Sequence, residues 1–265
     1  MNDFAFHRPA SVADALGRFS AAADGRYLAG GQSLLPAMKM GLSMPTDLVE
    51  LSQVAGLSGI TVADGAVRIG ATTRHAEVAA SSEVRRAIPA LAELADQIGD
   101  RAVRNRGTIG GSLALNDPAA CYPAAVLGLG ATIHTDRRTI VADAFFTGMY
   151  ETALAPGELI VAVSFPIPER AAWVKFKQPA SRFSLVGVFV SRGPAGVRVA
   201  VTGAASHAFR AGAFEQALIR DWSAAACANV VMPADGLNAD LHASAEYRAH
   251  LVGVLCRRAV AQAGR

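Results

Sequence analysis

Two short glycine-rich segments carry the most specific chemistry in the sequence. The first is Ala29-Gly30-Gly31-Gln32-Ser33-Leu34, set between an apolar strand-like run (Tyr27 to Ala29) and a helical turn or two from Leu34 to Lys39. Paired glycines at such a junction permit positive φ and let backbone N–H groups approach an anion closely. Gln32 and Ser33 add side-chain donors, and the helix N-terminus behind them favours negative charge. The segment can cradle a diphosphate, but it is neither GxGxxG nor a P-loop, and taken alone it reads as a tight structural turn. The second segment is Thr108-Ile109-Gly110-Gly111-Ser112-Leu113-Ala114, preceded by Arg104-Asn105-Arg106-Gly107. It repeats the donor pattern: small residues, a Gly pair and two hydroxyls. Two such loops, about 80 residues apart in the chain, would hold the two phosphates of a dinucleotide from two sides.

Other residue types with chemical potential form no comparable set. His7, His75, His134, His207, His242 and His250 have no metal-ligand spacing, and no Ser/His/Asp arrangement stands out. His75 reads as a surface histidine, with an approach to a bound adenine as the alternative. Cys121, Cys227 and Cys256 are far apart and too few for a four-cysteine cluster, so the chain holds no iron–sulfur centre or metal by itself. Arg101, Arg104 and Arg106 form the one basic cluster, read either as a solvated loop or as a contact to phosphate or a partner. No dense basic run with interleaved aromatics exists, which argues against nucleic-acid binding.

The frame that must position these segments is large enough to fold without staples. A chain of 265 residues suits one large domain or two modest ones. With 52% apolar and 18% charged residues it is not disordered. The apolar excess reflects either abundant alanine or a face buried against a partner. No apolar run reaches the length of a membrane span, and an N-terminus bearing Asp3 and Asp14 without an apolar core argues against a secretory signal, so a cytoplasmic location is expected.

Ser11 and Asp14 predict a helix start, with Val12, Ala15, Leu16 and Phe19 on one face. Asp64-Gly65 predicts a turn before a strand at 67–71. Ile88, Leu91, Leu94, Ala95 and Ile98 predict an amphipathic helix stopped by Gly99, and residues 108–114 read as a glycine-interrupted extended segment. Asp117-Pro118 reads as a helix N-cap with Pro at N1. From Ala131 onward the pattern becomes strand-rich (131–135, 158–165, 173–177 and 197–202), with a boundary at Pro166 and Pro168. A final helix over 247–261 would turn Leu251, Leu255 and Val260 inward and Arg248, Arg257 and Arg258 outward. Mixed elements without βαβ alternation predict an α+β fold.

On these residues the sequence resembles a known family, the FAD-binding medium subunits of molybdenum hydroxylases, among them carbon monoxide and xanthine dehydrogenases. The likeness runs from Phe6-His7-Arg8-Pro9-Ala10-Ser11 through AGGQSLLPAMK (29–39), RIGATT (68–73) and VRNRGTIGGSLA (103–114). It continues in LAPGELI (154–160), KFKQPASRFSLVG (175–187) and Ala243-Ser244-Ala245-Glu246-Tyr247-Arg248. It implies a PCMH-type FAD-binding domain of two α/β subdomains (1–168, divided at about 55/56), then a C-terminal domain of antiparallel sheet plus helices over 169–265. It further implies noncovalent FAD held by Ala29, Gly30, Gly31, Gln32, Ser33 and Leu34 and by Thr108, Ile109, Gly110, Gly111 and Ser112. Asp117, Ile160 and Lys177 would contribute, with Ile98 aligned to a residue that packs on the cofactor. Molybdopterin and [2Fe–2S] clusters would reside on a large and a small partner subunit, in a dimer of heterotrimers, and no residue of this chain would be catalytic toward the hydroxylated substrate. The departure is Cys121, where relatives often carry an Asp that reaches the cofactor. Two alternatives remain: a stand-alone flavin oxidoreductase of the same fold, and a structural subunit that has lost FAD.

Overall fold

A computed structural model describes residues 3–263. The chain begins with a small α/β unit: β1 (Ala5–His7), α1 (Val12–Ala21), β2 (Gly25–Leu28), α2 (Leu34–Lys39) and β3 (Asp47–Glu50). Central β3 pairs in parallel with β1 and β2. Ser11 caps α1 as its side chain accepts the Asp14 amide at 3.2 Å, and Phe19 stacks on Tyr27 at 4.5 Å. The parallel pairing forces β2 to leave the sheet at Leu28, so residues 29–33 form the turn that carries the chain into α2.

The second unit contains β4 (Ile60–Ala63), β5 (Ala66–Gly70), α3 (His75–Ala80), α4 (Ser82–Ala87), α5 (Pro89–Asp96), α6 (Arg101–Arg104), α7 (Ile109–Leu115) and α8 (Tyr122–Leu129). It continues with β6 (Thr132–Thr135), β7 (Thr139–Val141), β8 (Phe146–Gly148), β9 (Glu151–Thr152) and β10 (Ile160–Pro166). Its five-stranded antiparallel sheet has the order β4-β5-β10-β6-β7. The stripe expected as one helix breaks at Ile88, because Pro89 starts a new helix at its first position. Leu91, Leu94 and Ala95 are buried as anticipated, while Ile98 lies past the helix end.

The third unit is a four-stranded antiparallel sheet, β11 (Arg170–Lys177), β12 (Ser184–Gly193), β13 (Gly196–Thr202) and β14 (Phe209–Arg210), with α9 (Gly212–Arg220) and α10 (Ala245–Ala263). Strand β12 is its centre and escaped the sequence reading. It is buried from Ser184 to Ser191, so it has no polar face to betray a period of two. Val186, Val188 and Val190 join the core beneath α10; Phe189 joins Trp173 in the core shared with α8. Every residue of α8 is buried, since it is packed between the two large sheets. Arg198 of β13 fastens this junction, donating to the Leu127 carbonyl at 2.6 Å and pairing with Asp143.

Two local expectations are overturned. The segment expected to be extended at 108–114 is helix α7, capped by Thr108, whose hydroxyl accepts the Gly111 amide at 3.2 Å. Its glycines serve packing: a Cβ on Gly110 would lie 2.7 Å from the Ala71 Cβ and carbonyl oxygen. Arg248, expected outward on α10, is 3% exposed. Its guanidinium donates to the Leu185 and Gly203 carbonyls at 2.7 and 2.8 Å and to Asp240 at 2.7 Å. The hydrophobic period could not reveal an arginine whose two terminal nitrogens are held by buried carbonyls and a carboxylate.

Candidate functional site

A cavity of about 620 Å³ opens where the first unit, α7 and the third unit meet. That lies within the roughly 300–1,000 Å³ common for cofactor sites. Ala29, Gly30, Gly31, Gln32, Ser33 and Leu34 line it, as do Thr108, Gly110, Gly111, Ser112, Asp117, Ile98 and Ile160. Ile109 is fully buried and does not line it. Lys177 stands exposed at the end of β11, past a register shift at the Phe176/Lys177 step, and Lys175 lines the cavity in its place. Of the residues expected at the site, all but Ile109 and Lys177 line this one cavity.

The two glycine-rich elements face each other but are not equivalent. In the first, Gly31 has φ +71, and the amides of Gly30, Gly31, Gln32 and Ser33 have no acceptor among the described residues. Four successive unpaired N–H groups beside a cavity form a ready anion cradle. In the second, the amides are largely spent: Ile109 donates to Thr73, Gly110 to Ala71, Gly111 to the Thr108 hydroxyl and Ser112 to the Thr108 carbonyl. This element contributes small surface and hydroxyls in place of an amide nest. An isolated antiparallel bridge between Arg74 and Thr108 pins it against α3.

His75 is the functional candidate that sequence reading placed on the surface. It is 5% exposed and lines the cavity, and its Nδ1 is buried with no partner among the described residues. Its ring lies 5.3 Å from that of Tyr122, whose hydroxyl is likewise buried and unpartnered. Burial, aided by the positive charge of Arg104, lowers its pKa to about 4, so the imidazole is neutral at physiological pH. A neutral imidazole can donate or accept without placing charge beside an apolar ring system. The signal was its position two residues past the Thr72-Thr73 turn, close to the glycine loop only in space.

The Lys175 ammonium is fixed by the carbonyls of Gln97 and Arg182 at 2.7 and 2.9 Å, and lies 3.4 Å from the Cys121 sulfur. Cys121 is 5% exposed and also 3.5 Å from the Ser184 hydroxyl. At the position where the sequence departs from its resemblance, the Cys121 thiol and a lysine from the third unit thus share one wall of the cavity. Asp117 does not cap α8 as expected; its carboxylate accepts the Ala119 amide at 2.8 Å in a tight turn, and α8 begins at Tyr122. Glu158, whose side chain is fully buried, is held by both guanidinium donors of Arg138 at 2.9 Å. That hydrogen bonding, together with those from Ala155 and Thr135, lowers its pKa to about 2. It shapes the rim as a fixed carboxylate.

Arg101 and Arg104, with Arg85 and Asp96, line a separate concavity of about 200 Å³. Arg104 is tied there to the Ile98 and Gly99 carbonyls at 3.1 and 3.3 Å. Among the described residues no group of three or more His, Cys, Asp or Glu could hold a metal, and no helix is long and apolar enough to cross a membrane.

The site fits a dinucleotide flavin on these grounds: an amide cradle with unpaired donors, an apolar wall of Ile98 and Ile160, and one fixed cation opposite. Residues 2–168 match the family described as FAD binding domain in molybdopterin dehydrogenase. The nicotine 6-hydroxylase medium subunit of Paenarthrobacter nicotinovorans is 35% identical, over 97% of this chain and 95% of that one. The carbon monoxide dehydrogenase medium chain of Hydrogenophaga pseudoflava is 33% identical, over 97% and 96%. A solved structure of carbon monoxide dehydrogenase from the same organism superposes with a TM-score of 0.91 at 32% identity, covering 99% of this chain and 98% of that one. Quinoline 2-oxidoreductase from Pseudomonas putida 86 gives 0.89 at 29% identity, covering 99% and 97%. Unpaired amides, an apolar wall and likeness along nearly the whole chain agree: this protein belongs to the FAD-binding medium subunits of the molybdenum hydroxylases, the flavin component of an oxidoreductase whose hydroxylation takes place on another subunit.

Proposed function

We propose that this chain is an electron relay, receiving electrons at a noncovalent FAD from [2Fe–2S] clusters on a small partner subunit and passing them to an external acceptor. A large molybdopterin subunit would carry the substrate chemistry, and a cytoplasmic dimer of heterotrimers is the assembly the reading implies. FAD supplies exchange between one-electron and two-electron carriers, and the protein's task is to bind, orient and tune it. The single observation that carries the reading is the row of unpaired amides from Gly30 to Ser33 facing Gly111 and Ser112 across one cavity.

The residues divide that task. Amides 30–33 and the hydroxyls of Ser33, Thr108 and Ser112 would hold the diphosphate. Ile98 and Ile160 would pack on the rings and exclude water. Lys175, in place of the Lys177 that the resemblance implies, would present positive charge to the reduced ring. Asp117 would orient the sugar or ribityl hydroxyls. The chain divides, on this reading, into 1–168 and 169–265, with subdomains meeting near residue 55; Trp173 and Phe189 from the second part pack into the core of the first. Met40, Leu42 and Met44 are 68%, 76% and 60% exposed next to the cavity-lining Ser43, an apolar rim suited to a partner subunit.

The test is a complex assembled with a flavin-free variant of this chain. Its substrate should still reduce the iron–sulfur clusters while turnover with the external acceptor stops. Undiminished turnover would overturn the relay.

A further inference from the structure

Cys227 and Cys256 take no part in the cofactor site. Cys227 sits in the irregular segment between α9, which ends at Arg220, and α10, which begins at Ala245; Cys256 lies inside α10. Their exposures are 1% and 0%. Although 29 residues apart in sequence, their sulfurs are 3.7 Å apart, in a core otherwise built from aliphatic and aromatic side chains. The third cysteine, Cys121, has Lys175 and Ser184 as its neighbours and no sulfur contact. Both thiols are therefore positioned for each other and unused by the electron relay.

We propose that Cys227 and Cys256 are an oxidative modification site: a buried dithiol that hydrogen peroxide closes to an intrachain disulfide, fastening the irregular segment to α10. The first step is attack of the Cys227 thiolate on one peroxide oxygen, giving a sulfenic acid at Cys227 and, with a proton, water. The Cys256 sulfur then attacks the Cys227 sulfur and forms the S–S bond. The sulfenic hydroxyl leaves with the Cys256 proton as a second water. Two thiols are oxidised and one peroxide is reduced to two waters.

The order follows from the pair's own interactions. A hydrogen bond from Cys256 lowers the Cys227 pKa, with the positive charge of Arg257 acting the same way. The same hydrogen bond and burial raise that of Cys256. Cys227 is thus the sulfur that ionises first and reacts first. Bonding requires the sulfurs to close to about 2.05 Å. Cys256 is fixed on a helix, so the irregular segment must supply most of that movement. It is also the part whose local opening admits a small oxidant, having among the described residues no sheet partner beyond the Ala205–Leu237 bridge.

The experiment treats the flavin-loaded chain with a small excess of hydrogen peroxide, then denatures it, alkylates the remaining thiols and maps peptides by mass spectrometry. Of three free cysteines, only Cys121 should then take the alkyl group. A peptide linking residues 227 and 256 should appear, the intact mass should fall by two hydrogens, and a thiol reductant should reverse both changes. The thermal midpoint of the oxidised chain should rise, because the bridge limits the unfolded chain. Three alkylated cysteines, a bridge to Cys121, or sulfinic acid at Cys227 without a bridge would each overturn the proposal. Cys227→Ser should give no bridge while retaining flavin.

Discussion

A Cβ placed on Gly30 would lie 2.2 Å from the carbonyl oxygen of Arg106 and 2.7 Å from the Cα of Gly107. The two glycine-rich elements are thus in backbone contact, and a hydrogen atom is the only side chain that fits between them. Gly30 therefore sets the width of the cavity, because any larger residue must push the amide cradle away from α7.

Gly30→Ala should cost about 1–3 kcal/mol through overpacking and release most of the bound flavin. The ratio of flavin to protein absorbance after gel filtration reads the effect. Full flavin content with unchanged stability would show that the loops do not meet as described.

Gly111→Val tests the second element from the other side. A Cβ there lies 3.0 Å from the Thr108 hydroxyl and 3.9 Å from the Ala29 Cβ, so a branched side chain enters the gap between the loops. Flavin should be lost while far-UV circular dichroism stays near that of the parent chain. Unchanged occupancy would show that the second loop is misassigned.

Lys175 and Lys177 are separated by a paired experiment. Lys175→Met removes charged hydrogen bonds to Gln97 and Arg182, each worth about 1.5–3 kcal/mol. It should weaken FAD binding by roughly 10–100-fold, corresponding to about 1.4–2.8 kcal/mol. Lys177→Met should bind FAD as the parent does. Fluorescence titration of both variants gives the answer, and the reverse ranking would return the role to Lys177.

His75 gives a pH dependence with a defined sign. Its folded pKa of about 4 lies below the unfolded value of 6.5, so the native state resists the proton that the unfolded chain accepts. The associated stability is complete above pH 6.5 and is lost as pH falls through that value toward 4. The loss amounts to at most about 3 kcal/mol. Urea unfolding of the flavin-free chain across this range should show the slope, and His75→Phe should flatten it. Glu158 acts in a lower window, since its pKa falls from 4.5 to about 2 and its contribution is lost only as pH drops through those values.

The site was legible where function rests on local sequence. Gly30-Gly31 and Gly110-Gly111, with the hydroxyls of Thr108 and Ser112, could be named because paired glycines beside small donors have few local roles, whereas the helix that Thr108 caps was not legible. Their difference was not legible, because which amides are free depends on Ala71 and Thr73, remote acceptors that occupy Gly110 and Ile109. His75 and Lys175 were missed for a related reason: each acts through a neighbour supplied by another element, Gly107 for one and Gln97 for the other. Strand β12 and Arg248 escaped because complete burial erases the alternation that marks a strand and places a charge where periodicity expects none. Abundant alanine and an apolar rim both contribute to the 52% apolar content, as Ala90, Ala92, Ala95, Ala124 and Ala125 are core residues while Met40 and Leu42 are exposed.

The most direct test of the relay is anaerobic reduction of the flavin-loaded chain, followed by its absorption band, with and without the reduced iron–sulfur subunit. The band should bleach rapidly when the cluster-bearing subunit is present and persist when the hydroxylation substrate is added to the isolated chain. Equal bleaching of the isolated chain by substrate would contradict the relay and identify a self-sufficient flavin oxidoreductase.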